Sequence, residues 1–173
     1  MSRWNRRFLV LGLFAALAVG VSCSSSESPV APAAEQPAPL LGTVLSLADL
    51  LVCQSQPYAV ATQQVGPSGG TIVVGEHRLV IPRGALGSAV VIKAEQVSGS
   101  VNSVRFSPEG LRFAKPAQLT MSYRNCLVVL KQKRIAYTTE LLKVLSLLPS
   151  VDLFGSRSVT SPIDHFSRYV VAY

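Results

Sequence analysis

Ala117-Gln118-Leu119-Thr120-Met121-Ser122-Tyr123 alternates between residue classes without a break. Successive side chains of a strand point to opposite faces. Leu119, Met121 and Tyr123 therefore share one face and Gln118, Thr120 and Ser122 the other, the mark of a strand covered on one side. The same period of two extends outward from this stretch. Leu79 and Ile81 oppose Arg78; Val90, Ile92 and Ala94 oppose Lys93 and Glu95; Val104 and Phe106 oppose Arg105. Gly69-Gly70 and Gly75-Glu76 punctuate the chain around Thr71–Val74. Ile81-Pro82-Arg83-Gly84 and Ser107-Pro108-Glu109-Gly110 both put Pro second and Gly fourth, as a type I turn prefers. Short strands with frequent turns predict an all-β fold, an antiparallel β-sandwich. Two segments stand apart from this pattern. Leu45–Leu51 reads as a short amphipathic helix leading into the domain. Glu140–Leu148, with Pro149 behind it and the predicted strand Ile135–Thr138 before it, reads as a further strand.

Upstream of the strands the chain reads as an address. Arg3, Arg6 and Arg7 form a basic start, and Phe8–Val21 is an apolar run of fourteen residues. That is too short to span a bilayer comfortably but suits the hydrophobic region of a signal peptide. Val19-Gly20-Val21-Ser22-Cys23 follows and resembles a bacterial lipobox, in which cleavage precedes a cysteine that then carries lipid. Residues 1–22 are thus expected to be removed and Cys23 to be lipidated. Ser24–Leu40 holds four Pro, four Ser and four Ala in seventeen positions. Such a segment cannot bury enough apolar surface to offset its ordering entropy, so residues 23–40 read as a lipidated cysteine and a disordered tether. The tether spans about 20–25 Å as a coil and about 50 Å fully extended. Residues 41–56 read as a lead-in and residues 57–173 as the sandwich. Ser24 lacks the acidic inner-membrane retention signal of bacterial lipoproteins, which favours the outer membrane within the cell envelope.

Composition narrows the function classes. The chain has 173 residues, 49% hydrophobic and 14% charged, with 16 Lys and Arg against 9 Asp and Glu. Residues 57–173 alone carry thirteen basic and six acidic residues, a net +7. A basic domain held beside a membrane is the expectation, not one on DNA: no aromatic platform for nucleic acid is present and the compartment is wrong. Cys53 and Cys126 remain once Cys23 is assigned to lipid. In an oxidising compartment they read as a disulfide or, alternatively, as two independently buried thiols. The only histidines are His77 and His165, and no pair of ligands has zinc-like spacing, so no metal and no cofactor is expected. His77 shares a face with Leu79 and Ile81 and reads as a packed or edge histidine. Lys131-Gln132-Lys133-Arg134 reads as a solvated basic loop, with anionic headgroups or polymers as the alternative partner. Gly69-Gly70 lacks the Gly-Lys-Ser/Thr and helix of a phosphate loop.

Four stretches carry a resemblance. Gly69-Gly70 precedes a short strand. Leu79-Val80-Ile81-Pro82-Arg83-Gly84-Ala85-Leu86 follows it. Phe106-Ser107-Pro108-Glu109-Gly110-Leu111-Arg112-Phe113-Ala114-Lys115-Pro116 runs into Ala117–Tyr123. Asp164-His165-Phe166-Ser167-Arg168-Tyr169 closes the chain. In this order they resemble the ZU-5 domain, known from tight-junction zonula occludens proteins, netrin receptors and ankyrins. The resemblance covers residues 66–173 and is loose between Tyr123 and Ile163. It implies a β-sandwich serving as an interaction or structural module and transfers no partner; the expected address makes an unidentified envelope protein or polymer the partner.

The resemblance also implies one piece of chemistry. His165-Phe166-Ser167 matches the motif at which autoprocessing members cut themselves, between Phe166 and Ser167. The hydroxyl oxygen of Ser167 attacks the Phe166 carbonyl, the amide becomes an ester, and water hydrolyses it. An unstrained peptide resists this, so the fold must distort the bond, and His165 is the candidate proton carrier. The competing reading makes His165 and Ser167 neighbours on one face of a closing strand, with Tyr169 and Val171. Asp164, His165 and Ser167 lie too close in sequence to converge as a hydrolase triad, and no Gly-x-Ser-x-Gly elbow is present. A glycan-binding sandwich needs grouped exposed aromatics, and the single tryptophan, Trp4, leaves with the signal.

Overall fold

A computed structural model describes residues 49–173; the expected signal peptide, Cys23, the tether and residues 41–48 of the lead-in lie outside the described residues. The described chain is an all-β sandwich of two antiparallel sheets. Its strands are β1 (Ala59–Val65), β2 (Gly70–Val74), β3 (His77–Ile81), β4 (Val90–Val97), β5 (Ser103–Ser107), β6 (Arg112–Ser122), β7 (Arg134–Thr138), β8 (Val144–Leu147), β9 (Val151–Leu153), β10 (Ser158–His165) and β11 (Arg168–Ala172). One sheet runs β1-β4-β5-β11-β7-β8 and the other β2-β3-β6-β10-β9.

The core follows the alternation. Ala117, Leu119 and Met121 of β6 are fully buried, and they face Ile92 and Ala94 of β4 and Val104 and Phe106 of β5 within one continuous apolar cluster. Strand β6 begins earlier than the alternation, at Arg112, and contains Pro116. Pro cannot donate to a ladder, and Pro116 falls where β10 slips register between Ile163 and His165, so no regular pairing is lost. The proline turns also differ from expectation. Ala85 N–H bonds the Pro82 carbonyl at 3.1 Å and Leu111 N–H the Pro108 carbonyl at 3.3 Å. Each turn therefore starts on the proline and places its glycine third, with Gly84 at φ +77° and Gly110 at φ +75°. That positive φ is what a type II turn requires of its third residue.

Two further segments differ from expectation in their described parts. Residues 45–48 of the helix expected over Leu45–Leu51 lie outside the described residues. At its end Leu50 bridges Ala172, Val52 bridges Val101, and Leu50 and Leu51 are buried, so residues 50–51 are not helical. Two consecutive leucines are both buried because they enter different clusters: Leu51 joins the main core, and Leu50 joins Ala136, Val170 and Ala172. In the second case, the chain turns at Thr139–Leu142 before β8, so the strand expected from Glu140 begins four residues later.

Candidate functional site

Phe166 and Ser167 lie at the corner where the chain leaves one sheet for the other. Strand β10 ends at His165 in the five-stranded sheet, and β11 starts at Arg168 between β5 and β7 in the six-stranded sheet. His165 and Ser167 are therefore not same-face neighbours on one strand, because the strand breaks between them.

The corner is held by backbone and rings. Phe166 N–H donates to the Leu111 carbonyl at 2.8 Å, and the Phe166 carbonyl accepts from Gly110 N–H at 3.1 Å. The Ser167 carbonyl accepts from Phe106 N–H at 3.3 Å. The Phe166 ring stacks on Phe106 at 5.1 Å and meets Phe113 edge-on at 5.1 Å. His165 packs edge-on against Tyr137 at 5.2 Å, and its carbonyl accepts from the Tyr169 hydroxyl. Ser167 Oγ donates to the Thr138 carbonyl at 3.4 Å, so its proton points at a backbone acceptor and not at His165. The non-glycine residues with left-handed backbone among those described are Leu142 and Arg157, and neither belongs to the motif. The sequence pointed to the three motif residues. It did not point to Gly110, whose N–H is aimed at the carbonyl the serine would attack.

Cys53 and Cys126 form a disulfide across a separation of 73 residues. Closing so long a loop contributes about 4 kcal/mol by the chain-entropy argument. His77 is 2% exposed, and its Nδ1 accepts from Ser122 N–H at 3.2 Å. Burial pushes its pKa down to about 4, against a small opposing pull from Glu76. On the other sheet, Glu95 is buried beneath Lys93 at 2.8 Å, Arg105 at 3.1 Å and the Tyr58 hydroxyl at 2.6 Å. Hydrogen bonds from Lys93 and then Tyr58 hold its carboxyl down to about 2. Both arrangements satisfy buried polar groups and need no ligand to explain them.

The basic cluster is not the solvated loop expected. Lys131 and Gln132 are exposed, but Lys133 is 1% exposed, with its ammonium donating to the carbonyls of Val129 and Lys131. The same ammonium lies 5.5 Å over the Tyr123 ring and 5.9 Å over that of Phe154. Two carbonyls and two ring faces replace its water, which lets a lysine be buried without a carboxylate partner. Beside it opens a cavity of about 320 Å³, walled by Tyr123, Leu127, Val128 and Phe154, with Lys133 and Arg157 as its cations. A second, more polar groove of about 370 Å³ lies across Glu76, Arg78, Thr120, Arg124 and Ser158.

The chain matches no family model and no curated protein.

Proposed function

We propose that this chain is a cell-envelope lipoprotein presenting a ZU-5-like sandwich as an interaction or structural module. The observation that carries the reading is the Cys53–Cys126 disulfide. It consumes both cysteines of the folded domain and leaves Cys23 as the single thiol, at the lipobox-like junction. Disulfides persist in oxidising compartments, which agrees with export. The basic surplus of the domain supports an acidic partner. Among the described residues the ion pairs gather on Glu95 and Glu140, while Arg78 and Arg124 share the polar groove with Glu76, whose carboxylate accepts from the Ser122 hydroxyl. The net surplus of the domain, thirteen basic against six acidic residues, is what an envelope protein or polymer of acidic character fits.

Self-cleavage between Phe166 and Ser167 is the second reading, and one observation favours it. Gly110 N–H already donates to the Phe166 carbonyl, where a tetrahedral oxyanion would form. For the reaction to proceed, Ser167 Oγ must leave the Thr138 carbonyl and turn to the Phe166 carbon. Its proton then passes to a base, for which His165 is the nearest candidate in the chain. The released segment, Ser167–Tyr173, would stay in place because β11 is paired on both sides.

One experiment tests both readings: denaturing intact-mass analysis of the chain extracted from membranes. The lipoprotein reading expects a mature chain beginning at Cys23 and carrying acyl mass, lost in Cys23→Ser. An unacylated chain overturns it. Self-cleavage expects the seven-residue fragment as a separate mass, absent in Ser167→Ala. A single uncut species overturns that reading.

A further inference from the structure

The end of the sandwich around residues 127–131 exposes apolar side chains that the core does not use. Leu127 is 62% exposed, Val128 71% and Leu130 92%, and Phe154 across the cavity is 54% exposed. Val52, whose carbonyl accepts from Leu127 N–H at 2.9 Å, adds a further exposed apolar side chain at 52%. The loop is braced from beneath. Cys126 is tied to Cys53 at its start, and the Lys133 ammonium grips the carbonyls of Val129 and Lys131. Its apolar side chains are thus held outward by fixed backbone.

Cations surround this apolar tip. Lys131 is exposed within the loop. Arg124, exposed just before it at the edge of the polar groove, donates to the Ser156 carbonyl at 3.3 Å. Arg157, lining the cavity, donates to the Cys126 carbonyl at 2.6 Å, so both guanidinium groups are held at this end. No carboxylate lines the cavity, and Asp152 nearby is engaged by the Tyr123 hydroxyl and by Lys133 N–H. The N-terminal approach lies at the same end. Tyr173 N–H bonds the Asp49 carbonyl at 3.0 Å, and the Lys131 ammonium sits 4.9 Å over the Tyr173 ring. Asp49, the first described residue, therefore lies at the same end as the apolar tip.

We propose that this end is a membrane-docking surface for an anionic phospholipid bilayer. Leu127, Val128, Leu130 and Phe154 enter the headgroup and upper acyl zone, while Lys131, Arg124 and Arg157 meet lipid phosphates. Apolar insertion with a basic rim is the combination that binds anionic membrane surfaces reversibly. Docking would fix the orientation of the domain, so that it presents a defined face away from the bilayer. The inference takes from the lipoprotein reading only the nearness of a membrane.

Residues 41–173 suit the test, because they form one compact unit containing both sheets and the disulfide and lack Cys23. The oxidised domain is sedimented with vesicles of phosphatidylethanolamine and phosphatidylglycerol, and with vesicles of phosphatidylethanolamine and phosphatidylcholine. Binding is expected on the phosphatidylglycerol vesicles, weakening as salt is raised. Val128→Ser with Leu130→Ser is expected to weaken it about tenfold or more through lost apolar insertion. Lys131→Gln is expected to weaken it about fivefold, the effect of one cation at a charged surface. Absence of binding overturns the proposal. So does binding untouched by the double serine variant, which would mean contact by net charge alone. A concentration-dependent dimer abolished by the same variant, without vesicle binding, overturns it by assigning the surface to a second copy. Missing acyl mass at Cys23 would sink the lipoprotein reading and leave this result standing, so the two fail separately.

Discussion

The corner at Phe166 and the loop at Leu127–Leu130 treat apolar residues in opposite ways. At the corner, Phe166 is 1% exposed and packs on Phe106 and Phe113. In the loop, Leu130 is 92% exposed, although Leu127-Val128-Val129-Leu130 is an unbroken apolar run and Phe166 stands between polar neighbours, His165 and Ser167. Backbone pairing decides the difference. Phe166 has its N–H and its carbonyl both bonded across to the Gly110–Leu111 turn, which places the ring between the sheets. The loop pairs through Leu127 N–H, and otherwise its carbonyls are taken by a lysine below, which directs its side chains away from the core. Apolar character supplies a driving force, and the hydrogen-bonded frame determines whether the protein's own core receives it.

The largest expected effect comes from breaking the sealed corner. Phe166→Ala removes a buried ring from contact with two others and leaves a cavity between the sheets, so it should cost roughly 3–5 kcal/mol. Urea denaturation of the oxidised domain measures this as a lower midpoint at unchanged slope. A loss below about 1 kcal/mol would show that the corner collapses around the gap, as a loosely packed site does.

The alternating strands were legible because each is covered on one side, so a period of two survives in the sequence. Ala117–Tyr123 is the clearest case, and its apolar face lies in the core as expected. The corner was not legible for the same reason. Alternation through His165, Ser167 and Tyr169 continues across a change of sheet, and no local signal marks where one ladder ends and another begins. Lys133 was hidden by its neighbours: among Lys131, Gln132 and Arg134 it reads as one more solvated cation. Only carbonyls and rings brought together by folding place it inside. The apolar loop carried no signal of its own, since Leu127-Val128-Val129-Leu130 has no period that separates an exposed run from a buried one. The motif residues were visible by resemblance, whereas the Gly110 donor depends on a turn that returns from more than fifty positions away.

Acid sharpens the comparison by probing the sealed interior alone. His77 has a folded pKa of about 4 against an ordinary value of 6.5, so the unfolded chain binds the proton more readily. Its contribution is complete above pH 6.5. It is lost as pH falls from 6.5 toward 4, and below that the loss levels off at about 3 kcal/mol. Glu95 acts in a lower window: its depressed pKa contributes stability that disappears as pH falls from 4.5 toward 2. Urea midpoints at pH 7 and pH 4.5 should therefore differ in the wild type, and His77→Gln should flatten most of that difference. An equal drop in the variant would assign the acid sensitivity to carboxylates instead.

The smallest effect is the one the open end demands. Leu130 is 92% exposed and its side chain lies outside the buried clusters, so Leu130→Ser should change stability by no more than about 0.5 kcal/mol. The same urea titration that reports several kcal/mol at Phe166 should barely register it. A loss near 2 kcal/mol would mean that the loop folds back onto the cavity in solution and covers Tyr123 and Phe154 itself. The contrast between the two ends would then vanish, because both would have used their apolar residues internally. A near-silent substitution keeps the contrast: an exposed leucine that contributes nothing to folding is available for contact with something outside the fold, and its loss should be felt there.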